Sequence, residues 1–168
     1  MEVAFAHDHP PEDDLYPNAL ERALKLLAAH SRSRREVAGR LERAGFPSEV
    51  VARVEDRLVE LGLLEDRAYA RDWAERAVAR GGLAPEAVRE VLLEKGVGAQ
   101  EVDRALEEVV GQTCATELAI GAGRRRLREL SSLDPRQSHR RLAGFLMGKG
   151  YEPEVADEAC RRLLGRGD

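Results

Sequence analysis

The chain has few aromatic residues, few cysteines and no long apolar run. Of its 168 residues, 4% are aromatic and 43% are hydrophobic, which allows a core built mainly from aliphatic side chains. No apolar stretch approaches the roughly 18 residues that a membrane-spanning helix needs. The acidic first residues lack the basic and apolar segments of an export signal. We therefore expect a cytoplasmic protein without membrane segments.

Sequence patterns of common enzymes and metal sites are also missing. There is no GxxxxGK[ST], GxGxxG, HExxH or GxSxG motif. Cys114 and Cys160 lack ligand spacing, and the four histidines are scattered, with His7 and His9 near the start of the chain. We therefore expect no enzyme activity, no cofactor and no metal. Cys160 falls on an apolar helical stripe, which favours a buried, reduced thiol.

Charged residues are abundant and unevenly distributed. They make up 35% of the chain, and the net charge is −4. Residues 1–18 contain five acids and no lysine or arginine, whereas residues 124–149 carry eight basic residues against Glu129 and Asp134 alone. An acidic protein thus contains one cationic section. Local fields govern binding to phosphates or acidic partners more than the total charge does.

Apolar residues recur with helical spacing along most of the chain. Leu20, Ala23, Leu24 and Leu27 follow the i, i+3, i+4 rule, and breaks at serine, glycine and proline separate further stripes of this kind. No segment shows the sustained two-residue alternation of a strand. The pattern predicts an all-α fold of nine helices in three groups of three. Because each short helix is marginal alone, packing between neighbours must stabilise it.

One helical unit occurs three times. Each copy has a leucine four residues before a glycine and an apolar or aromatic residue directly after that glycine, and the glycines are 51 and 54 residues apart. The copies are Leu41-Gly45-Phe46, Leu92-Gly96-Val97 and Leu146-Gly150-Tyr151. A period of this length predicts a tandem helical array, elongated and curved. Its glycines end helices, since glycine adopts a left-handed cap most easily.

The breaks divide the chain into a tail and three repeats. The predicted segments are an acidic flexible tail (1–18) and three-helix repeats at 19–65, 66–111 and 112–168. Gly81-Gly82 and Gly111 are expected to act as hinges. Gly121 and Gly123 each cost roughly 1 kcal/mol relative to alanine inside a helix. We therefore expect the first helix of the third repeat to be bent, frayed or stabilised by a partner.

The order of several motifs matches a known family. Arg32-Ser33-Arg34-Arg35-Glu36 precedes Leu41 and Gly45, and Leu61-Gly62-Leu63-Leu64-Glu65-Asp66-Arg67-Ala68-Tyr69-Ala70 follows them. A glycine-rich break at Gly82 then precedes Val88, Leu92, Gly96 and Val97. This order resembles the RecX family, the small bacterial regulators of the recombinase RecA. The resemblance covers about residues 19–164 and depends on the ordered set of motifs, not on a single one.

The resemblance implies a tandem array of three-helix units that binds RecA and the RecA filament on single-stranded DNA. Family members bind in or along the filament groove or at its growing end. By binding, they lower strand exchange, ATP hydrolysis and the co-protease activity that drives the SOS response. We therefore expect a monomeric regulator that mainly inhibits RecA in DNA repair and recombination.

Two other functions remain open. One is a helical DNA-binding module that acts without RecA, because short helices joined by glycine turns can mimic a helix-turn-helix and residues 112–168 are net cationic. Such a module should bind bare DNA in a salt-dependent way. The other is a helical scaffold that binds neither DNA nor RecA. The net charge of −4 favours weak binding to bare DNA.

The candidate binding residues are all basic. They form three sets: Arg32, Arg34 and Arg35; Arg124, Arg125, Arg126 and Arg128; and Arg136, Arg140, Arg141 and Lys149. Each set could contact DNA phosphates or acidic RecA side chains, or could form a solvated helix face. Consecutive residues point around a helix, so the second set cannot serve one site as a whole, whereas Arg136 and Arg140 share a face. Tyr69 and Trp73 lie on an apolar stripe, which favours a core position over stacking on bases.

Overall fold

The computed structural model describes residues 12–130 and 134–165. In these ranges the chain is entirely helices and connecting turns, without a strand, so the predicted all-α fold is confirmed. The helices are α1 (Glu12–Ala29), α2 (Arg34–Glu42), α3 (Ser48–Glu60), α4 (Asp66–Glu75), α5 (Pro85–Glu94), α6 (Ala99–Val110), α7 (Ala115–Leu127), α8 (Pro135–Met147) and α9 (Pro153–Leu163). A π-helical turn (Arg76–Arg80) continues α4, and a 3-10 turn (Arg128–Leu130) follows α7.

The first helix begins earlier than the sequence predicts. It starts at Glu12 and contains Pro17, so residues 12–18 are helical and do not form a flexible tail. Leu15 and Tyr16 pack against the apolar core that α1 helps to form, and the Arg53 guanidinium lies 4.9 Å from the centroid of the Tyr16 ring. These contacts offset the hydrogen bond that proline cannot make. Residues 1–11 of the predicted tail lie outside the described residues.

The chain divides into two compact units, and the first is Met1–Tyr69. In this unit α1 packs on α2 and α3. Its largest fully buried side chains are aliphatic: Val37, Leu41, Val50, Val54 and Leu58. Burying one such side chain contributes roughly 1.5–3 kcal/mol. The core of this unit is therefore built mainly from aliphatic side chains, as the composition predicts.

The second unit is Ala70–Asp168. Here α7 packs on α8 and α9, and α5 packs on α6 and on the π-helical turn. Leu142, Leu146 and Cys160 are fully buried in a core to which Ala84, just before α5, also belongs. The N–H of Ala84 donates a hydrogen bond to the carbonyl oxygen of Lys149 at 2.9 Å. The start of α5 is therefore joined to the segment after α8.

The three glycine-centred copies form the same helix cap. Gly45, Gly96 and Gly150 have φ angles of 90°, 82° and 89°, a region that glycine adopts without the steric cost of a Cβ atom. In each copy the residue after the glycine donates its N–H to the carbonyl oxygen of the leucine: Phe46 to Leu41 (3.2 Å), Val97 to Leu92 (3.1 Å) and Tyr151 to Leu146 (3.2 Å). This is a Schellman cap, which favours an apolar residue after the glycine. The predicted helix-ending role of these glycines is confirmed.

Two other glycines are packing positions. Helix α7 runs unbroken through Gly123, where an added Cβ would lie 2.6 Å from Cδ1 of Leu163. The missing side chain lets α7 approach α9 closely, so packing against a neighbouring helix supports α7 at this glycine. At Gly82 an added Cβ would lie 2.8 Å from Cβ of Ala122. Gly82 is buried against α7, and the hinge expected at Gly81-Gly82 stays a prediction.

Candidate binding surfaces

The start of α2 is held by a buried cap. Ser33 is fully buried, and its hydroxyl accepts the N–H of Glu36 at 3.2 Å while the Glu36 carboxylate accepts the N–H of Ser33 at 3.2 Å. The Tyr69 hydroxyl donates to the same carboxylate at 3.0 Å. The N–H of Arg34 donates to the Asp66 carboxylate at 2.9 Å. Tyr69 is 5% exposed, so the predicted core position of this residue is confirmed.

The first set of basic residues surrounds this cap. Nε of Arg32 donates to the carbonyl oxygen of Leu26 at 3.3 Å, near the end of α1. Burial raises the pKa of the Glu55 carboxyl, and the Arg34 guanidinium opposes that shift. The side chains of Arg34 and Arg35 are exposed. Of the three, Arg34 and Arg35 are therefore placed to meet an external partner.

Three arginines that the sequence analysis did not single out line a small cleft between α1 and α2. The cleft has a volume of about 240 Å³ and is lined by Arg22, Leu26, Arg40, Arg43 and Ala44. Nε of Arg43 donates to the carbonyl oxygen of Gly39 at 2.7 Å. Within residues 12–130 and 134–165, none of these three arginines makes an ion pair. Arg40 and Arg43 have helical spacing in the sequence, but Arg22 comes from another helix, so no local pattern indicated the cluster.

Arg125, in the middle of the second set, bonds within the second unit. Its Nη1 donates to the carbonyl oxygen of Ala79 at 3.1 Å. Ala79 lies in the π-helical turn, where carbonyl groups depart from the α-helical bonding pattern. Burial raises the pKa of Tyr151, and the Arg125 charge opposes that shift. Arg125 therefore supports the structure of this unit whether or not it also contacts a partner.

The structure brings Arg126 and Lys149 together on one aromatic ring. Cζ of Arg126 and Nζ of Lys149 lie 5.8 Å and 5.5 Å from the centroid of Phe145, which is cation–π distance. Arg126 also forms an ion pair with Glu129. The end of α7 and the end of α8 thus share a cationic surface centred on Phe145. Phe145 and Lys149 have i, i+4 spacing. This spacing is the only feature of the sequence that indicates the contact.

The arginines of α8 are exposed and form no ion pair among the residues that the structure describes. Arg136, Arg140 and Arg141 are exposed, as are Arg124 and Arg128 of the second set. These five make no ion pair with any residue that the structure describes. With about 100° between successive helical residues, Arg136 and Arg140 share one face, as predicted, and Arg141 lies on the side of Phe145. We refer to Arg136 and Arg140 as the α8 cationic face.

Helix α9 shows the contrasting case of arginines that are paired. Arg162 binds Glu158 at 2.7 Å and Glu117 at 3.2 Å. Arg161 binds Asp157 at 3.2 Å and Glu158 at 2.8 Å. The local acids therefore neutralise α9, while the α8 cationic face keeps its charge.

The cysteines and the described helices give no sign of a metal or membrane site. Cys160 is fully buried, and burial raises the pKa of its thiol to about 11; the predicted buried thiol is confirmed. Cys114 is exposed. Among the described residues, no group of three histidine, cysteine, aspartate or glutamate side chains could hold a metal ion. Within the same residues no helix is long and apolar enough to cross a membrane.

Two segments match family models of three-helix domains. Residues 19–58 match the first three-helix domain of RecX, and residues 115–160 match the third. The "Regulatory protein RecX" of Mycobacterium ulcerans (strain Agy99) is 35% identical, over 94% of this chain and 91% of that protein. The protein of the same name from Streptomyces lividans is 35% identical, over 92% of this chain and 81% of that protein.

Solved structures show the same fold. The crystal structure of RecX from Lactobacillus salivarius superposes with a TM-score of 0.71 at 18% identity, covering 90% of this chain and 97% of that one. A second structure, of a regulatory protein RecX, gives a TM-score of 0.68 at 22% identity, covering 93% of this chain and 74% of that one. With the family models and the relatives over 30% identical, these similarities lead to one conclusion: the chain belongs to the RecX family of regulatory proteins.

Proposed function

We propose that this chain binds RecA and its filament on single-stranded DNA, and that it lowers the recombinase, ATPase and co-protease activities of RecA. The observation that carries the proposal is family membership: relatives named regulatory proteins match 94% of the chain at 35% identity. The ordered motifs that resemble RecA regulators support the choice of partner. In this role the protein acts by binding, without catalysis, in the cytoplasm during DNA repair and the SOS response.

Basic side chains supply the proposed contacts. Arg34 and Arg35 are exposed beside the α2 cap, and Arg136 and Arg140 are exposed on α8. The planar guanidinium group donates two parallel hydrogen bonds to a phosphate or carboxylate. No acid within the described ranges forms an ion pair with Arg35, Arg136 or Arg140, and Arg34 acts on Glu55 only through its charge. The four guanidinium groups can therefore bind DNA phosphates or acidic RecA side chains.

The direct test measures RecA itself. The purified protein, added at a concentration equal to that of RecA from its own organism, should lower DNA-dependent ATP hydrolysis and strand exchange. Lower co-protease activity should accompany both effects. Unchanged ATPase and strand-exchange rates at equal concentration would refute the proposal.

A charge-reversal pair tests the α8 cationic face. Arg136→Glu combined with Arg140→Glu should weaken inhibition of the RecA ATPase at least tenfold. The matched control is Arg80→Glu combined with Arg104→Glu, which changes the net charge by the same amount at two other exposed positions of the second unit. Equal inhibition by the two double variants would mean that the α8 cationic face is only a solvated helix surface.

A second candidate function is a DNA-binding module that acts without RecA. The observation that favours it is the cluster of Arg22, Arg40 and Arg43 around one cleft, since converging guanidinium groups suit phosphates. Titrations on bare and on RecA-coated single strands separate the two functions. A DNA module binds bare strands, with affinity that falls steeply with salt, whereas a filament regulator binds coated strands more tightly.

A further inference from the structure

A cleft of about 520 Å³ lies in the second unit between α4 with its π-helical turn, α6 and α7. We refer to it as the α4–α7 cleft. Its apolar lining comes from Val78, Ala79, Val109, Leu118, Gly121 and Ala122. The volume falls in the range of about 300–1,000 Å³ that is usual for ligand pockets. Neither the α8 cationic face nor the arginine cleft between α1 and α2 shares a residue with it.

Gly121 leaves part of this cleft unfilled. It lies inside α7, where glycine costs roughly 1 kcal/mol relative to alanine. An added Cβ would meet no atom within 4 Å. Gly123, two residues later, is needed because Leu163 packs over it, but no such neighbour explains Gly121. The space above Gly121 is therefore open to a side chain from another molecule.

The cleft wall formed by the π-helical turn is a second unusual feature. Such turns are rare and are frequent at functional sites. The turn places Val78 and Ala79 on the cleft. Arg125 holds this wall in position through its hydrogen bond to the carbonyl oxygen of Ala79. This bond links the π-helical wall of the cleft to α7.

The rim of the cleft carries more acids than bases. Its charged residues are Glu75, Glu108, Glu117, Arg71 and Arg125. Arg71 lies 4.0 Å from Glu108, and Glu117 is paired with Arg162 at 3.2 Å. Glu75 has no ion pair among residues 12–130 and 134–165. An apolar lining beside an unpaired carboxylate complements an apolar side chain that is next to a lysine or arginine.

We propose that the α4–α7 cleft docks a short segment of a partner protein. The segment inserts one apolar side chain over Gly121 and places a neighbouring lysine or arginine beside Glu75. The inference rests on the proposed function, which makes the RecA filament the partner that carries this segment. A nucleic-acid strand is disfavoured, since its phosphates would lie beside the Glu75 carboxylate.

Filling the cleft gives the decisive test. Gly121→Leu places a leucine in the open space, and its helix propensity should preserve or raise stability. The matched control is Gln100→Leu, which adds the same side chain at an exposed position of α6. Affinity for fluorescently labelled single-stranded DNA coated with RecA is measured by anisotropy. Gly121→Leu should weaken binding at least tenfold, whereas Gln100→Leu should bind like the wild type.

Two further tests change the charge at the rim of the cleft and compare binding to RecA-coated and bare DNA. Glu75→Lys should weaken binding to the coated strand about fivefold or more. Its binding to the uncoated strand should be at least as tight as that of the wild type. If Gly121→Leu weakens binding to bare DNA as much as to the filament, the occupant is nucleic acid and the docking proposal is overturned. If Gly121→Leu binds the filament as tightly as the wild type does, the docking proposal is overturned but the proposed RecA function is not. A wild-type protein that neither binds nor inhibits the filament overturns both.

Discussion

Nη1 of Arg125 lies 3.1 Å from the carbonyl oxygen of Ala79 and donates a hydrogen bond to it. This bond joins α7 to the π-helical turn that follows α4. Arg124, the preceding residue, is exposed and makes no ion pair within the part of the chain that the structure describes. Two adjacent arginines of one basic run therefore differ in what they contribute to stability.

Replacing each of these arginines in turn should separate the two roles. Arg125→Ala should lower the free energy of unfolding by about 1–2 kcal/mol, because a charged donor to a backbone carbonyl is lost. Arg124→Ala should change it by less than about 0.5 kcal/mol, as expected of an exposed side chain. Urea unfolding followed by the fluorescence of Trp73, the single tryptophan and a residue of the second unit, measures both. Equal losses would contradict the assignment.

The caps at Gly45 and Gly150 should tolerate alanine differently. Both have φ near 90°, so alanine at either position pays roughly 1–2 kcal/mol for the left-handed conformation. An added Cβ at Gly150 would lie 2.6 Å from Cβ of Ala87, whereas Gly45 has no atom within 4 Å. A Cβ atom cannot move without its backbone, so overpacking adds about 1–3 kcal/mol at Gly150.

Chemical denaturation followed by far-UV circular dichroism compares the two variants. Gly150→Ala should lose about 2–5 kcal/mol of unfolding free energy, the sum of the conformational cost and overpacking. Gly45→Ala should lose only the roughly 1–2 kcal/mol of unfolding free energy that the left-handed conformation costs. A loss at Gly45 that matches or exceeds the loss at Gly150 would show that the contact with Ala87 relaxes freely.

The helices and their ends could be predicted from the sequence because their causes are local. All the groups that form the cap lie within one short motif. The motif is a leucine, a glycine four residues later and an apolar residue directly after the glycine. The hydrogen bond from Phe46 to Leu41 spans only five residues. Apolar spacing predicted the buried positions for the same reason. It failed at the start of α1, where residues 12–18 were assigned to the flexible tail, although contacts of Leu15 and Tyr16 with distant residues stabilise the helix.

The binding surfaces could be predicted only in part, because they depend on which helices meet. Gly121 and Gly123 look alike in the sequence, but Leu163, forty residues after Gly123, packs over only one of them. Arg22 meets the α2 arginines only once α1 and α2 have packed. Composition indicated where positive charge is dense. It could not indicate which guanidinium groups have partners inside the protein.

The two cysteines should react at very different rates. Cys114 is exposed, whereas Cys160 is fully buried and the pKa of its thiol is raised by burial to about 11. Because the thiolate is the reactive form, Cys160 is protected both by its low ionisation and by the core around it. A chromogenic thiol reagent at pH 8 should modify one thiol quickly and the second at the rate of unfolding. Cys114→Ser should remove the fast phase; a fast phase of two thiols in the wild type contradicts the expectation.

Glu55 should make the first unit less stable as pH rises above the ordinary carboxyl range. Burial raises the pKa of its carboxyl in the folded state, outweighing the attraction of Arg34, so the folded protein binds this proton more tightly than the unfolded chain does. The stabilisation is therefore complete below the unfolded pKa and is lost as pH rises through the folded pKa.

Replacing Glu55 by glutamine removes this titration and tests its sign. Glu55→Gln should be more stable than the wild type at pH 7 by a few tenths of a kcal/mol, about the size expected for a partly exposed charge. The difference should vanish below about pH 4, where the wild-type carboxyl is protonated in both states. Urea titrations followed by circular dichroism from about pH 3 to about pH 7 measure the trend. A glutamine variant less stable than the wild type at pH 7 would mean that the attraction of Arg34 outweighs burial.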